Sequence, residues 1–148
     1  MSTFLPDTSC MIAAVCAWHE HHAPARAEIE NRLDGGDIMI AAAPALVEAY
    51  AVLTRLPFPH RLFPKDALAL LESNFMGTVR VVVLDGRAYQ SLLRRAPQEM
   101  IGGGRIYDAV IAECASKGGA DVLLTFNDSD FSGLNEKLRV VVPGKSSE

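Results

Sequence analysis

Residues 102–126 read Gly102-Gly103-Gly104-Arg105-Ile106-Tyr107-Asp108-Ala109-Val110-Ile111-Ala112-Glu113-Cys114-Ala115-Ser116-Lys117-Gly118-Gly119-Ala120-Asp121-Val122-Leu123-Leu124-Thr125-Phe126. Two periodicities meet inside this stretch. Three glycines make a flexible entry, and a helical pattern follows. At roughly 100° per residue, Glu113 and Lys117 fall on one side, and Ile106, Val110, Ile111 and Cys114 sweep an apolar arc. Gly118-Gly119 ends the helix. Asp121 to Phe126 then reads as a central strand, which runs into the polar turn Asn127-Asp128-Ser129-Asp130-Phe131. Asp108 is the misfit. It points away from the solvated stripe, between Ala112 and Ala115. Its desolvation requires compensation by hydrogen bonds, a cation or a metal.

Strands and helices alternate before and after this stretch, without an internal sequence repeat. Thr3 to Pro6 is a short apolar strand, ended by a proline that cannot donate to a ladder. Asp7-Thr8-Ser9 follows it, and Cys10 to Ala17 is helical. Trp18-His19-Glu20-His21-His22 fails the H-E-x-x-H metal pattern, because Ala23 stands where the second histidine belongs. It reads as a solvated loop. Pro24 to Leu33 is a second helix, stopped by Gly35-Gly36. Ile38 to Ala41 is a strand, and Pro44 opens an apolar helix from Ala45 to Arg55. A proline-punctuated link, Leu56-Pro57-Phe58-Pro59-His60, leads to a helix begun by Pro64. Val79 to Leu84 is a β-branched run suited to a strand buried on both faces. Asp85 caps a helix from Gly86 to Arg95 with a basic set at Arg87, Arg94 and Arg95. Arg139 to Val142 is a last strand. Alternating strands and helices predict the α/β class, with a mainly parallel sheet covered on both sides.

The chain has 148 residues, 49% of them hydrophobic and 22% charged, with a net charge of −4. That length suits one domain, which buries about 68–70% of its unfolded surface. We expect a single domain over residues 1–143 and a frayed tail over 144–148. Cys10, Cys16 and Cys114 lack C-x-x-C spacing, which argues against disulfides and zinc. Buried thiols in a reducing cytoplasm are expected. No apolar run approaches the roughly 20 residues of a membrane span, and the start has no signal-peptide pattern. The acidic balance does not suggest a basic nucleic-acid binder. Acids gathered round metal would still leave phosphate binding possible.

Four acids share one placement. Asp7 follows the first strand, Glu48 lies in the helix after the second, Asp108 starts a helix, and Asp130 follows the strand at Val122 to Phe126. Strand ends and helix starts on one edge of a parallel sheet lie together. Glu48 has no basic residue three or four positions away to pair with. Clustered carboxylates would not all ionise at neutral pH without a cation. Oxygen ligands alone favour Mg2+ or Mn2+, whose chemistry suits phosphodiester hydrolysis by an activated water.

The blocks Pro6-Asp7-Thr8-Ser9, Glu48 in its apolar helix, Gly104 to Ala112, and Leu124-Thr125-Phe126-Asn127-Asp128-Ser129-Asp130-Phe131 together resemble the PIN domain. More closely, they resemble the VapC toxins of toxin–antitoxin pairs. The resemblance implies a three-layer α/β/α fold and Mg2+- or Mn2+-dependent endoribonuclease activity. It implies Asp7, Glu48, Asp108 and Asp130 as the acidic quartet, with Asp7, Asp108 and Asp130 as metal ligands and Thr8 and Asn127 in support. Asp128 is an alternative to Asp130. The resemblance further implies an RNA substrate, a homodimer and a VapB-like antitoxin, with Arg105 and the set Arg87, Arg94 and Arg95 as candidate RNA or antitoxin contacts. A non-catalytic RNA-binding domain is the alternative. A phosphoryl-accepting domain is disfavoured, because Leu5-Pro6 precede Asp7 and Ser9 stands two residues after it.

Overall fold

The computed structural model describes residues 1–145. Five strands, β1 (Thr3–Pro6), β2 (Ile38–Ala42), β3 (Arg80–Val82), β4 (Val122–Leu124) and β5 (Arg139–Val141), form one sheet in the order β3-β2-β1-β4-β5. Every pairing is parallel, with Phe4 opposite Met39 on one side and Val122 on the other. Parallel neighbours need crossovers, and helices supply them: α1 (Thr8–Val15), α2 (His22–Asp34), α3 (Ala43–Arg55), α4 (Pro64–Leu71), α5 (Gly86–Arg95), α6 (Arg105–Lys117) and the single turn α7 (Asp128–Phe131). α4 runs on into a π-helical turn, Glu72–Met76. The result is the expected three-layer α/β/α architecture. α1 packs against α2 and α3, α3 against α4, and α6 lies over β2 and β3 beside α5 and α7.

β1 is the centre of the core. Phe4 and Leu5 are both fully buried, and Leu123 and Leu124 are buried beside them on β4. The three cysteines are buried and unpaired, and burial pushes the Cys114 thiol up to about 11. Gly118 and Gly119 differ in their reasons. Gly119 has φ +74°, which favours glycine. Gly118 allows close approach: a Cβ there would press on Ile40 Cδ1 and lie 2.9 Å from Val82 Cγ2. The end of α6 is tied to the sheet there, Arg80 donating to the Gly118 carbonyl and Lys117 to the Val83 carbonyl, each at 2.6 Å.

One expectation is corrected. The Val79–Leu84 run is not a strand buried on both faces. β3 is a three-residue edge strand, and Val81 and Val83 are 41% and 58% exposed. β-branched residues suit a half-covered edge as well as a core strand, so composition did not separate the two. Beyond β5, Lys145 N–H donates to the Val142 carbonyl in a turn. The rest of the expected tail, 146–148, lies outside the described residues.

Candidate active site

The carboxyl end of β1 delivers Asp7 to the start of α1. Its backbone N–H donates to the Leu124 carbonyl at 2.9 Å, which continues the sheet register into the site. Its side chain then caps the helix, accepting from Cys10 N–H at 2.9 Å through Oδ1. Ser9 Oγ donates to the same oxygen at 2.7 Å, and Thr125 Oγ1 donates to Oδ2 at 2.5 Å. The cap role and the site role therefore fall on one carboxylate. Asp7 is only 4% exposed. Burial pushes its carboxyl above the usual range, the bonds from Thr125, Ser9 and Cys10 draw it back, and the Glu48 charge adds to the rise.

Thr125 and Ser9 are the residues missed by sequence reading. Thr125 is fully buried. Besides holding Asp7, it accepts from Asn127 N–H at 2.9 Å, while Ser9 accepts from Phe126 N–H at 3.1 Å. The two hydroxyls thus stitch the loop after β4 to the loop after β1. A hydroxyl at the end of an apolar strand, with no solvent to bond, was the available signal. Asn127 bonds here through its backbone, and its residue is exposed.

Glu48 stands exposed on α3, and Thr8 Oγ1 donates to its Oε2 at 3.3 Å. Asp108 is half-buried in the first turn of α6 and accepts no hydrogen bond among the described residues. Its carboxyl is pushed up to about 6, first by desolvation and then by the charges of Asp130, Asp7 and Glu48, against a lowering by Arg105. The other three acids therefore all act on Asp108, and Glu48 acts on Asp7 as well. Asp128 is absent from that set and lies 4.0 Å from Lys145 Nζ. Arg105 reaches across to α7, donating to the Asp130 carbonyl at 3.4 Å and to the Ser132 carbonyl. It fixes the turn that carries Asp130 instead of standing free. Arg95 is likewise engaged, 2.6 Å from Glu113, whereas Arg87 and Arg94 are exposed.

A cleft of about 410 Å³ is lined by Asp7, Thr8, Glu48, Asp108 and Asn127. Asp130 stands outside this lining. The histidine segment, expected as a solvated loop, instead supplies His19 and His21 as a cleft wall. A larger, mostly apolar groove of about 620 Å³ adjoins it, sharing Glu48 and Ile111 and including Val47, Val83 and Tyr107.

Among the described residues, no group of three His, Cys, Asp or Glu is close enough to cage a metal. The donor chemistry nevertheless fits a hard cation. Mg2+ keeps several waters and needs only one or two direct carboxylates. Asp7, which is among the cleft-lining residues, uses three of its roughly four lone-pair sites on hydrogen bonds, which leaves one free. The raised Asp108 carboxyl marks negative charge that Arg105 only partly offsets.

The family model described as the PIN domain matches residues 4–137. The chain is 37% identical over 138 residues to Ribonuclease VapC40 of Mycobacterium tuberculosis, covering 93% of this chain and 95% of that protein. Among solved structures it resembles VapBC2 from Rickettsia felis, bound to a DNA fragment from its promoter. The TM-score is 0.68 at 15% identity, covering 95% of this chain and 98% of that one. It also resembles M. tuberculosis VapC20, a sarcin–ricin loop cleaving toxin, with a TM-score of 0.66 at 16% identity over 86% of this chain and 92% of that one.

Proposed function

The chain belongs to the PIN-domain family, within its VapC toxins, and from that premise we propose that it is a Mg2+- or Mn2+-dependent endoribonuclease, the toxin of a toxin–antitoxin pair. The observation that carries this reading is the convergence of charge on Asp108, raised to about 6 by burial and by three further acids. Asp7, Asp108 and Asp130 would hold the ion. Bound there, a divalent cation supplies an activated water and a contact for phosphate oxygens. The chain's own part is positioning. Thr125, Ser9 and the Cys10 N–H clamp Asp7 in one orientation. Glu48, which accepts from Thr8 and lines the cleft, would bind the ion through a water or orient the nucleophile. Arg105 keeps Asp130 against α6. Asn127 supports the loop through its backbone.

For partners we propose an RNA substrate, a second copy of the chain and a VapB-like antitoxin acting in the cytoplasm. The apolar groove beside the cleft supports a protein partner: Val47 and Tyr107 on it are 71% and 69% exposed. No helix among the described residues is long and apolar enough to cross a membrane.

The test is cleavage of RNA by the purified chain with Mg2+ or Mn2+, alongside Asp7→Asn and Asp108→Asn. Both variants should fold and neither should cut. Equal cleavage by them in metal-free buffer sinks the proposal. The absence of a ready metal cage among the described residues favours one second reading, a non-catalytic RNA-binding PIN domain. Calorimetric titration with Mn2+ separates the two, since a degenerate site would take up no ion.

A further inference from the structure

Five rings run without a break from the protein surface into the acidic cleft. His60 stacks on Trp18 with centroids 4.0 Å apart and planes 22° apart. Trp18 meets His19 at 5.8 Å, and His19 meets His21 at 5.7 Å, both tilted. His21 stacks on Phe126 at 4.5 Å, almost parallel at 9°. The rings come from three separate segments: the α3–α4 link, the α1–α2 link and the loop after β4. We propose that this ladder is a stacking track for the bases of single-stranded RNA on one side of the bond to be cut; the proposal rests on the ribonuclease reading above.

Phe126 packs against the core at the inner end, but the outer rings are not sealed in it and keep solvent-exposed surface beside their stacked partners. Trp18 is 47% exposed, and the His21 side chain is 43% exposed. Nor is it a loose loop. His21 N–H donates to His19 Nδ1 at 3.0 Å, and His22 Nδ1 lies 2.8 Å from the Ala13 carbonyl. At the inner end, Phe126 N–H is bonded to Ser9 Oγ, which in turn donates to Asp7. The last ring is therefore two hydrogen bonds from a catalytic carboxylate, and His19, His21 and Phe126 share the cleft lining with Asp7 and Asp108.

Stacking also answers an electrostatic problem. A cleft lined by carboxylates repels phosphate, and no Lys or Arg lies in residues 16–22. Desolvation and the neighbouring His21 and His22 draw the His19 imidazole below its usual range, so it is a neutral ring at pH 7. Every base has a π-face, and stacking tolerates any sequence. Bases in a duplex are already stacked on each other, so the track selects unpaired nucleotides.

Trp18 is the chain's single tryptophan, so its fluorescence reports the track directly. The probe is a mixed-sequence single-stranded 12-nucleotide RNA, titrated into the Asp108→Asn chain with Mg2+ present so that the strand stays intact. Quenching is expected with this strand, and not with the same strand in a duplex or with an abasic ribose–phosphate chain of equal length. His21→Ala and His60→Ala should each weaken binding about tenfold, while His21→Phe, which keeps a flat ring, should bind as before. Cleavage of the same strand by the wild-type chain is measured in parallel. Quenching without Mg2+-dependent cleavage keeps the track and sinks the nuclease reading. Cleavage without quenching overturns the track and leaves the nuclease. Equal quenching by the abasic chain, or none lost in His21→Ala, overturns it too.

Discussion

Replacing Asp108 with asparagine should end cleavage and, at the same time, make the metal-free protein more stable at neutral pH. The magnitude follows from the site. Desolvation and the three acids around it lift the Asp108 carboxyl from 3.8 to about 6. At 1.36 kcal/mol per unit, that is nominally about 3 kcal/mol of destabilisation once the group is ionised. The group is only half-buried, and solvent screening reduces the figure to about 1 kcal/mol. The sign is that of a raised acid: the folded state binds more protons than the unfolded one between these two values. The favourable contribution is whole below pH 3.8 and is lost as pH rises through about 6. Asparagine does not titrate, so the gap between variant and wild type should open across that window and level off above it. The assay is thermal melting of both proteins from pH 4 to 8 in EDTA, where about 1 kcal/mol is worth about 2–4 °C in a chain of this size. Adding Mg2+ should raise the wild-type melting temperature by mass action and leave the variant unmoved. A variant that melts lower at pH 7 in EDTA, or a gap that does not change with pH, refutes the reasoning.

Three other substitutions probe the supports of the site. Thr125→Val removes a bond to buried Asp7 and should cost about 1–3 kcal/mol in urea unfolding. Because that bond lowers the Asp7 carboxyl, the acid limb of the cleavage profile should move to higher pH. An unshifted limb would show that Asp7 ionisation does not govern the rate. Arg105→Ala frees the turn bearing Asp130 and withdraws the charge that lowers Asp108. Titration should show weaker Mn2+ binding with little change in melting temperature; unchanged binding counts against Asp130 as a ligand. Gly118→Ala drives a methyl group against Ile40 and Val82 and should destabilise by about 1–3 kcal/mol, as read by urea titration. Stability equal to wild type would mean that the end of α6 can lift from the sheet.

The order of strands and helices was legible because each element carries its own punctuation. Pro6, Gly35-Gly36, Pro44, Pro64, Asp85 and Gly118-Gly119 mark ends that the structure keeps to within a few residues. The placement of the acids was legible for a different reason: strand ends of a parallel sheet share an edge. What stayed hidden depends on partners far apart in the chain. Thr125 looked like an ordinary strand residue until Asp7 stood opposite it across β1 and β4. Trp18, His19 and His21 looked solvated because their stacking partners, His60 and Phe126, arrive from other segments. Arg105 looked like a free surface cation because the carbonyls it binds belong to α7 and the residue after it. Val81 and Val83 looked buried because strand order, which makes β3 an edge, is not written in local composition.

The parallel sheet also sets when the cleft can exist during synthesis. No strand here can pair with the next through a tight turn, and β1 finds its second neighbour only in β4, at Val122 to Leu124. Thr125, which holds Asp7 in place, leaves the ribosome after Asp7, Glu48 and Asp108, shortly before Asp130. A nascent chain carrying Asp7, Glu48 and even Asp108 still lacks the strand that clamps them into one site. The cleft is therefore completed only once β4 and the loop after it have emerged, and a chain ending before them would lack the hydroxyl that holds Asp7.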